Sequence, residues 1–146
     1  MQSKELMVDI VCFGDDIFFV PKVFNVTNDI ILHRPFPHIR SQSSNADLGR
    51  ELLKSFDLAR QIDIDGQCND PPIYACFGLE TLSTLLKKSK YYSFSTIRGE
   101  NIILERGKRK RGFIEGIPTY TIPLTQAESD IEEFGRKVRD TLHQTI

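Results

Sequence analysis

The chain has 146 residues, 40% of them hydrophobic and 27% charged, and a formal net charge of −1. That length can bury a sizeable core within one domain, and the charge balance excludes a general attraction to nucleic acid or to anionic membranes. No apolar run approaches the roughly 20 residues of a membrane span, and Cys12, Cys68 and Cys76 are too few and too scattered for a disulfide framework.

The first residues, Met1 to Leu6, lack the layout of a secretory signal, so the expectation is a soluble cytoplasmic protein. Residues 8–13 are rich in β-branched and aromatic side chains and end at Gly14-Asp15-Asp16. Residues 17–20 follow up to Pro21, and two apolar runs around a Gly/Asp turn predict a hairpin. A third strand is expected at 29–33, stopped by Pro35 and Pro37. After a polar loop at 41–44, Ser44 with Asp47 three residues on predicts the start of a helix over 45–61. The stretch 61–72 holds Asp63, Asp65, Gly66, Asn69, Asp70 and two prolines, which is connector chemistry. Leu79, Leu82, Leu85 and Leu86 then predict a short middle helix, with Lys87, Lys88 and Lys90 at the end that favours cations.

The second half repeats the plan. Residues 91–97 read as a strand, Gly99-Glu100-Asn101 as a turn and 102–105 as the returning strand. A basic loop spans 106–112, a short strand 118–122, and Pro123 leads to a last helix at about 129–144. Thr125 with Glu128, or Ser129 with Glu132, would make a capping box there. Leu48-Gly49-Arg50, Leu52 and Phe56 match Phe134-Gly135-Arg136, Val138 and Leu142 at a constant offset of 86, as Pro37 matches Pro123. Gly14-Asp15-Asp16-Ile17 matches Gly99-Glu100-Asn101-Ile102 at 85. The expectation is a single α+β domain, a mostly antiparallel sheet built from two pseudo-repeated βββα halves, about 7–61 and 90–145, with the linker and middle helix at 62–89. A glycine inside a helix costs roughly 1 kcal/mol, so its recurrence predicts close approach of both helices to the sheet.

Candidates for chemistry are few. Asp15 and Asp16 would point to opposite faces of a strand, and they read as turn residues. His33, His38 and His143 lack metal-ligand spacing with the cysteines, Asp63-Ile64-Asp65-Gly66 lacks the remaining ligands of a calcium loop, and Gly107 and Gly112 lack the context of a phosphate loop. No catalytic residue, metal or cofactor is expected. Arg106, Lys108, Arg109, Lys110 and Arg111 form the dense charge cluster, read as a solvated hairpin tip in preference to a nucleic-acid contact. Glu128, Asp130, Glu132 and Glu133 complement the start of the last helix.

Three stretches resemble the contact-dependent growth inhibition immunity proteins (CdiI). They are Ser44-Asn45-Ala46-Asp47-Leu48-Gly49-Arg50-Glu51-Leu52-Leu53, Lys90-Tyr91-Tyr92-Ser93-Phe94 leading to Gly99-Glu100-Asn101-Ile102-Ile103-Leu104, and Thr121-Ile122-Pro123 with Glu133-Phe134-Gly135-Arg136. The resemblance implies a non-enzymatic protein of the cytosol that binds the C-terminal toxin domain of a CdiA effector, often a nuclease, and blocks it. An acidic surface could cover the cationic site of such a nuclease, which nominates Asp57, Asp63, Asp65, Asp70 and Glu80 as toxin-binding residues. The basic run at 106–111 is the second candidate surface, outside the family pattern. The alternatives are a single-stranded nucleic-acid-binding module, using the sheet and that run, and an assembly subunit docking through it.

Overall fold

A computed structural model of the chain describes residues 5–65, 70–111 and 113–143. Gly66, Cys68 and Asn69 of the connector, Gly112 of the basic run and the end of the last expected helix lie outside the described residues. Seven strands among those described form one antiparallel sheet: β1 (Leu6–Phe13), β2 (Asp16–Phe24), β3 (Ile30–Leu32), β4 (His38–Arg40), β5 (Ser89–Arg98), β6 (Asn101–Lys110) and β7 (Phe113–Pro123). Their order is β3-β2-β1-β5-β6-β7, with β4 also paired to β2. The helices are α1 (Asn45–Arg60), α2 (Ile73–Cys76), α3 (Leu82–Lys88), α4 (Leu124–Ser129) and α5 (Ile131–His143).

Both matched turns are two-residue hairpin loops opened by a glycine, Gly14 at φ 66° and Gly99 at φ 60°. Glycine takes that left-handed conformation without steric cost, and it suits the twist of the flanking strands. The two hairpins lie back to back through β1 and β5, where Asp9 stands opposite Phe94, its own counterpart at the 85-residue offset.

The side chains of β1 alternate between two covered faces. Leu6, Val8, Ile10 and Cys12 join the core that holds Leu48, Leu52 and Phe56 of α1 and Phe134, Val138 and Leu142 of α5. Val11 joins a second core with Val20, Leu32, Tyr92 and, from α3, Leu85 and Leu86. A strand sandwiched this way loses its polar face, so β1 is buried over most of its length. α1 begins as expected, with the Ser44 hydroxyl accepting the Asp47 N–H at 3.1 Å.

Several expectations change. The matched glycines serve helix–helix contact. A Cβ on Gly49 would lie 2.8 Å from the Ile131 carbonyl oxygen, and one on Gly135 would overlap the backbone of Asn45. The basic run is mostly strand, because β6 continues to Lys110 and pairs with β7 as far as Lys110 opposite Phe113. The last helix lies where expected, as α5, but a short helix that was not expected, α4, precedes it and is separated from it at Asp130. Neither proposed capping box starts α5. The Asp130 carboxylate accepts the Glu133 N–H at 3.3 Å instead. Pairing to β2 also creates β4, a strand too short for any periodicity to announce.

Among the described residues, no helix is long and apolar enough to cross a membrane.

Candidate functional site

Beneath the centre of the sheet lies a buried polar cluster. Asp9 of β1 is 2% exposed and Tyr92 of β5 is 4% exposed. The Asp9 carboxylate accepts the Tyr92 hydroxyl at 2.6 Å and sits 2.9 Å from the Lys22 ammonium of β2. Asp9 faces Val20 and Phe94 directly, so Lys22 and Tyr92 are its diagonal neighbours, within reach of long side chains. Lys22 also lies 5.8 Å from the centre of the Phe94 ring. The cluster ties three strands together, and its groups are turned toward each other.

Burial raises the Tyr92 phenol well above its ordinary value of 10.0, and the charge and hydrogen bond of Asp9 add to the shift. The folded protein therefore keeps a proton that the unfolded chain releases above about pH 10. Its stabilising contribution is complete below that pH and is lost as the pH rises further. Guanidinium midpoints measured from neutral pH into the alkaline range should fall for the wild type and fall less for Tyr92→Phe. Equal declines would refute the assignment. Some loss will remain in the variant, because Tyr120 is also raised by its bond to Asp140.

The nominated carboxylates do not gather on one face. Asp57 is exposed on α1 and paired with Arg60. Asp63 is exposed and accepts the Asp65 N–H at 2.9 Å, closing a local turn. Asp70 accepts the Leu32 N–H at 3.0 Å and pairs with Arg34 at 3.1 Å. Glu80 is exposed between α2 and α3. α1 and α3 belong to cores on opposite faces of the sheet, so the set is divided between the two faces, with Asp70 at the β3 edge. Asp70 is committed to holding that edge. Asp70→Ala should cost about 1–3 kcal/mol by stripping the Leu32 N–H of its acceptor. Asp63→Ala, at an exposed position, should stay within about 0.5 kcal/mol in the same urea titration.

The cations do gather. The ladder between β5 and β6 ends at Ser93 opposite Arg106, and the β6–β7 hairpin continues beyond it. Arg109 Nη2 donates to the Ser89 carbonyl at 2.8 Å, which brings the hairpin against the end of α3. A Cβ on Gly107 would overlap the Tyr92 carbonyl, so glycine is what lets β6 run this close. Lys108, Arg109, Lys110 and Arg111 are exposed there, as are Lys87, Lys88 and Lys90. Arg106 is half-buried. At the hairpin's end Phe113 is 53% exposed. Sequence reasoning passed over Phe113, and its signal was an aromatic residue directly after a basic turn.

Other exposed apolar side chains, Phe24, Val26 and Ile30, mark the β2–β3 end. Ile30 leads into an apolar cleft of about 390 Å³ walled by Leu32, Pro72, Tyr74, Leu82 and Tyr92. A second cleft, about 470 Å³, is walled by Phe13, Phe18, Phe36 and Phe77, with Arg34, His38 and Cys76 at its margin. Burial raises the Cys76 thiol above its ordinary value, with Arg34 opposing the shift. Among the described residues, no three His, Cys, Asp or Glu side chains are placed to hold a metal ion.

No family model matches the chain, and no curated protein matches its sequence. Its fold has relatives among solved structures. A protein of unknown function from Neisseria meningitidis superposes with a TM-score of 0.68 at 10% identity, over 100% of this chain and 98% of the other. A chain of the CdiA-CT/CdiI toxin and immunity complex from Yersinia pseudotuberculosis superposes with a TM-score of 0.65 at 12% identity, over 99% of both chains. The architecture, end to end, is one that these proteins share.

Proposed function

We propose that the protein is an immunity protein, which acts in the cytoplasm by binding and neutralising the C-terminal toxin domain of a cognate CdiA effector. The observation that carries this reading is the superposition of nearly the whole chain on a chain of a toxin and immunity complex. The resemblance of the α1, β5–β6 and α5 stretches to the CdiI pattern supports it independently. Exposed apolar side chains that could anchor a partner stand at both ends of the sheet, Phe24, Val26 and Ile30 by β3 and Phe113 on β7. A nuclease is the toxin activity that the family resemblance implies.

The test is co-expression with the toxin domain encoded beside this chain. Co-purification of the two and rescue of growth are expected. A toxin domain that remains lethal and unbound would overturn the reading. The gathered cations favour one second reading, a contact with single-stranded nucleic acid. Under that reading the chain would shift a labelled oligonucleotide in a salt-dependent manner.

A further inference from the structure

Folding turns two separate basic stretches into one rim. Eight of the nineteen lysines and arginines belong to it, namely Lys87, Lys88 and Lys90 at the junction of α3 and β5, and Arg106, Lys108, Arg109, Lys110 and Arg111 on β6 and its turn. The hydrogen bond from Arg109 to the Ser89 carbonyl joins the two groups. Lys90 extends the rim to the end of α5, where burial, Arg139 and Lys90 together hold the His143 imidazole below its ordinary value. Glu115, 3.6 Å from Lys110, offsets only part of this charge. The remaining eleven cations face the nineteen other acidic residues, so the rest of the molecule is net negative and the charge distribution is polarised.

At the end of the rim stands Phe113, opposite Lys110 in a register already fixed by the hairpin. Phe113 shares its face of the paired ribbon with Lys108 and Lys110, with Arg109 on the other face. An exposed ring beside cations suits a protein anchor: the ring supplies buried area and the charges steer its approach. An extended polyanion would run from the rim onto the acidic remainder and be repelled there, whereas a compact acidic patch meets the rim alone.

We infer that this rim is a docking surface for an acidic patch on a partner protein, with Phe113 entering an apolar pocket within that patch. The inference rests on the proposed function, which makes the partner the toxin domain, and it moves the contact away from the dispersed carboxylates.

The experiment measures association and dissociation rates with an inactive form of the toxin domain encoded beside the chain. Combined Lys108→Glu, Lys110→Glu and Arg111→Glu should slow association by about 10–100-fold and flatten its salt dependence. Phe113→Ala should speed dissociation by about tenfold or more. Both variants should melt like the wild type, because the altered side chains are exposed. Combined Asp63→Lys and Asp65→Lys should leave both rates unchanged. Variants of the rim that bind like the wild type, or losses that follow Asp63 and Asp65 instead, would overturn the inference while leaving the proposed function standing. A wild type that fails to bind would overturn both. Binding of labelled oligouridine by the wild type at physiological salt, lost in the triple variant, would assign the rim to nucleic acid and overturn docking to protein.

Discussion

Gly135→Ala should destabilise the protein by about 3 kcal/mol or more, a loss of roughly 6–12 °C in Tm for a domain of this size. The direction is the reverse of helix propensity, by which alanine gains about 1 kcal/mol over glycine in mid-helix. Space decides the sign. A methyl group at Gly135 would fall inside the backbone of Asn45, at the start of α1, where no rotamer can move aside. α5 would have to lift, and Phe134, Val138 and Leu142 would separate from Leu48, Leu52 and Phe56 in the core beneath. The crossing is also held by Arg139, which donates to the Asn45 side chain at 2.8 Å, to the Ser41 carbonyl at 2.9 Å and to the Ser43 carbonyl. Gly49→Ala should cost less, about 1–2 kcal/mol, since part of its obstruction is the Ile131 side chain, 3.2 Å away and able to turn. Guanidinium denaturation of both variants checks the ranking. A Gly135→Ala protein as stable as the wild type would mean that α1 and α5 do not cross at this point.

Lys22→Met should be the most damaging single change in the Asp9–Lys22–Tyr92 cluster, at about 3–5 kcal/mol. It leaves the Asp9 carboxylate buried at 2% exposure with the Tyr92 hydroxyl but without its counter-charge. Asp9→Leu should cost less, about 1–3 kcal/mol, because the Lys22 side chain is 12% exposed and its head can reach toward water. Replacing all three together, Asp9→Leu, Lys22→Met and Tyr92→Phe, should come back to within about 1–2 kcal/mol of the wild type, as no polar group is then stranded. The cluster would thus be worth little as net stability. Its role is to hold the central strand pair in one register, since a one-residue slip would carry Asp9 into the hydrocarbon face under α1 and α5. Urea titrations of the single and triple variants decide the matter. Losses that simply add would show three independent contacts rather than one network.

Local chemistry was enough to place several elements. Ser44 and Asp47 marked the start of α1, because a helix N-terminus needs an acceptor for its unpaired N–H groups at that spacing. Gly14 and Gly99 marked the two hairpin turns, because the backbone there takes a positive φ. The 85- and 86-residue matches put corresponding residues at corresponding places, both helix stripes entering one core. These signals work because each depends on residues close along the chain.

Other features were settled by partners distant in sequence. Gly49 and Gly135 were legible as sites of close approach, but their neighbour proved to be each other's helix rather than the sheet. Asp9 looked like one polar residue in a strand until β2 and β5 brought Lys22 and Tyr92 to it. The run at 106–111 looked like a loop because lysine and arginine are weak strand formers, and pairing with β7 overrode that preference. The dispersal of Asp57 and Glu80 to opposite faces, and the merging of the two basic stretches into one rim, follow from α1 and α3 packing on different cores and from where β6 meets α3. The sequence by itself determined the elements, their turns and the apolar stripes, since propensity and periodicity act within a few residues. Only the tertiary structure decided which charges share a surface, because that depends on strand order and on the backbone separations that small residues such as Gly107 and Gly135 permit.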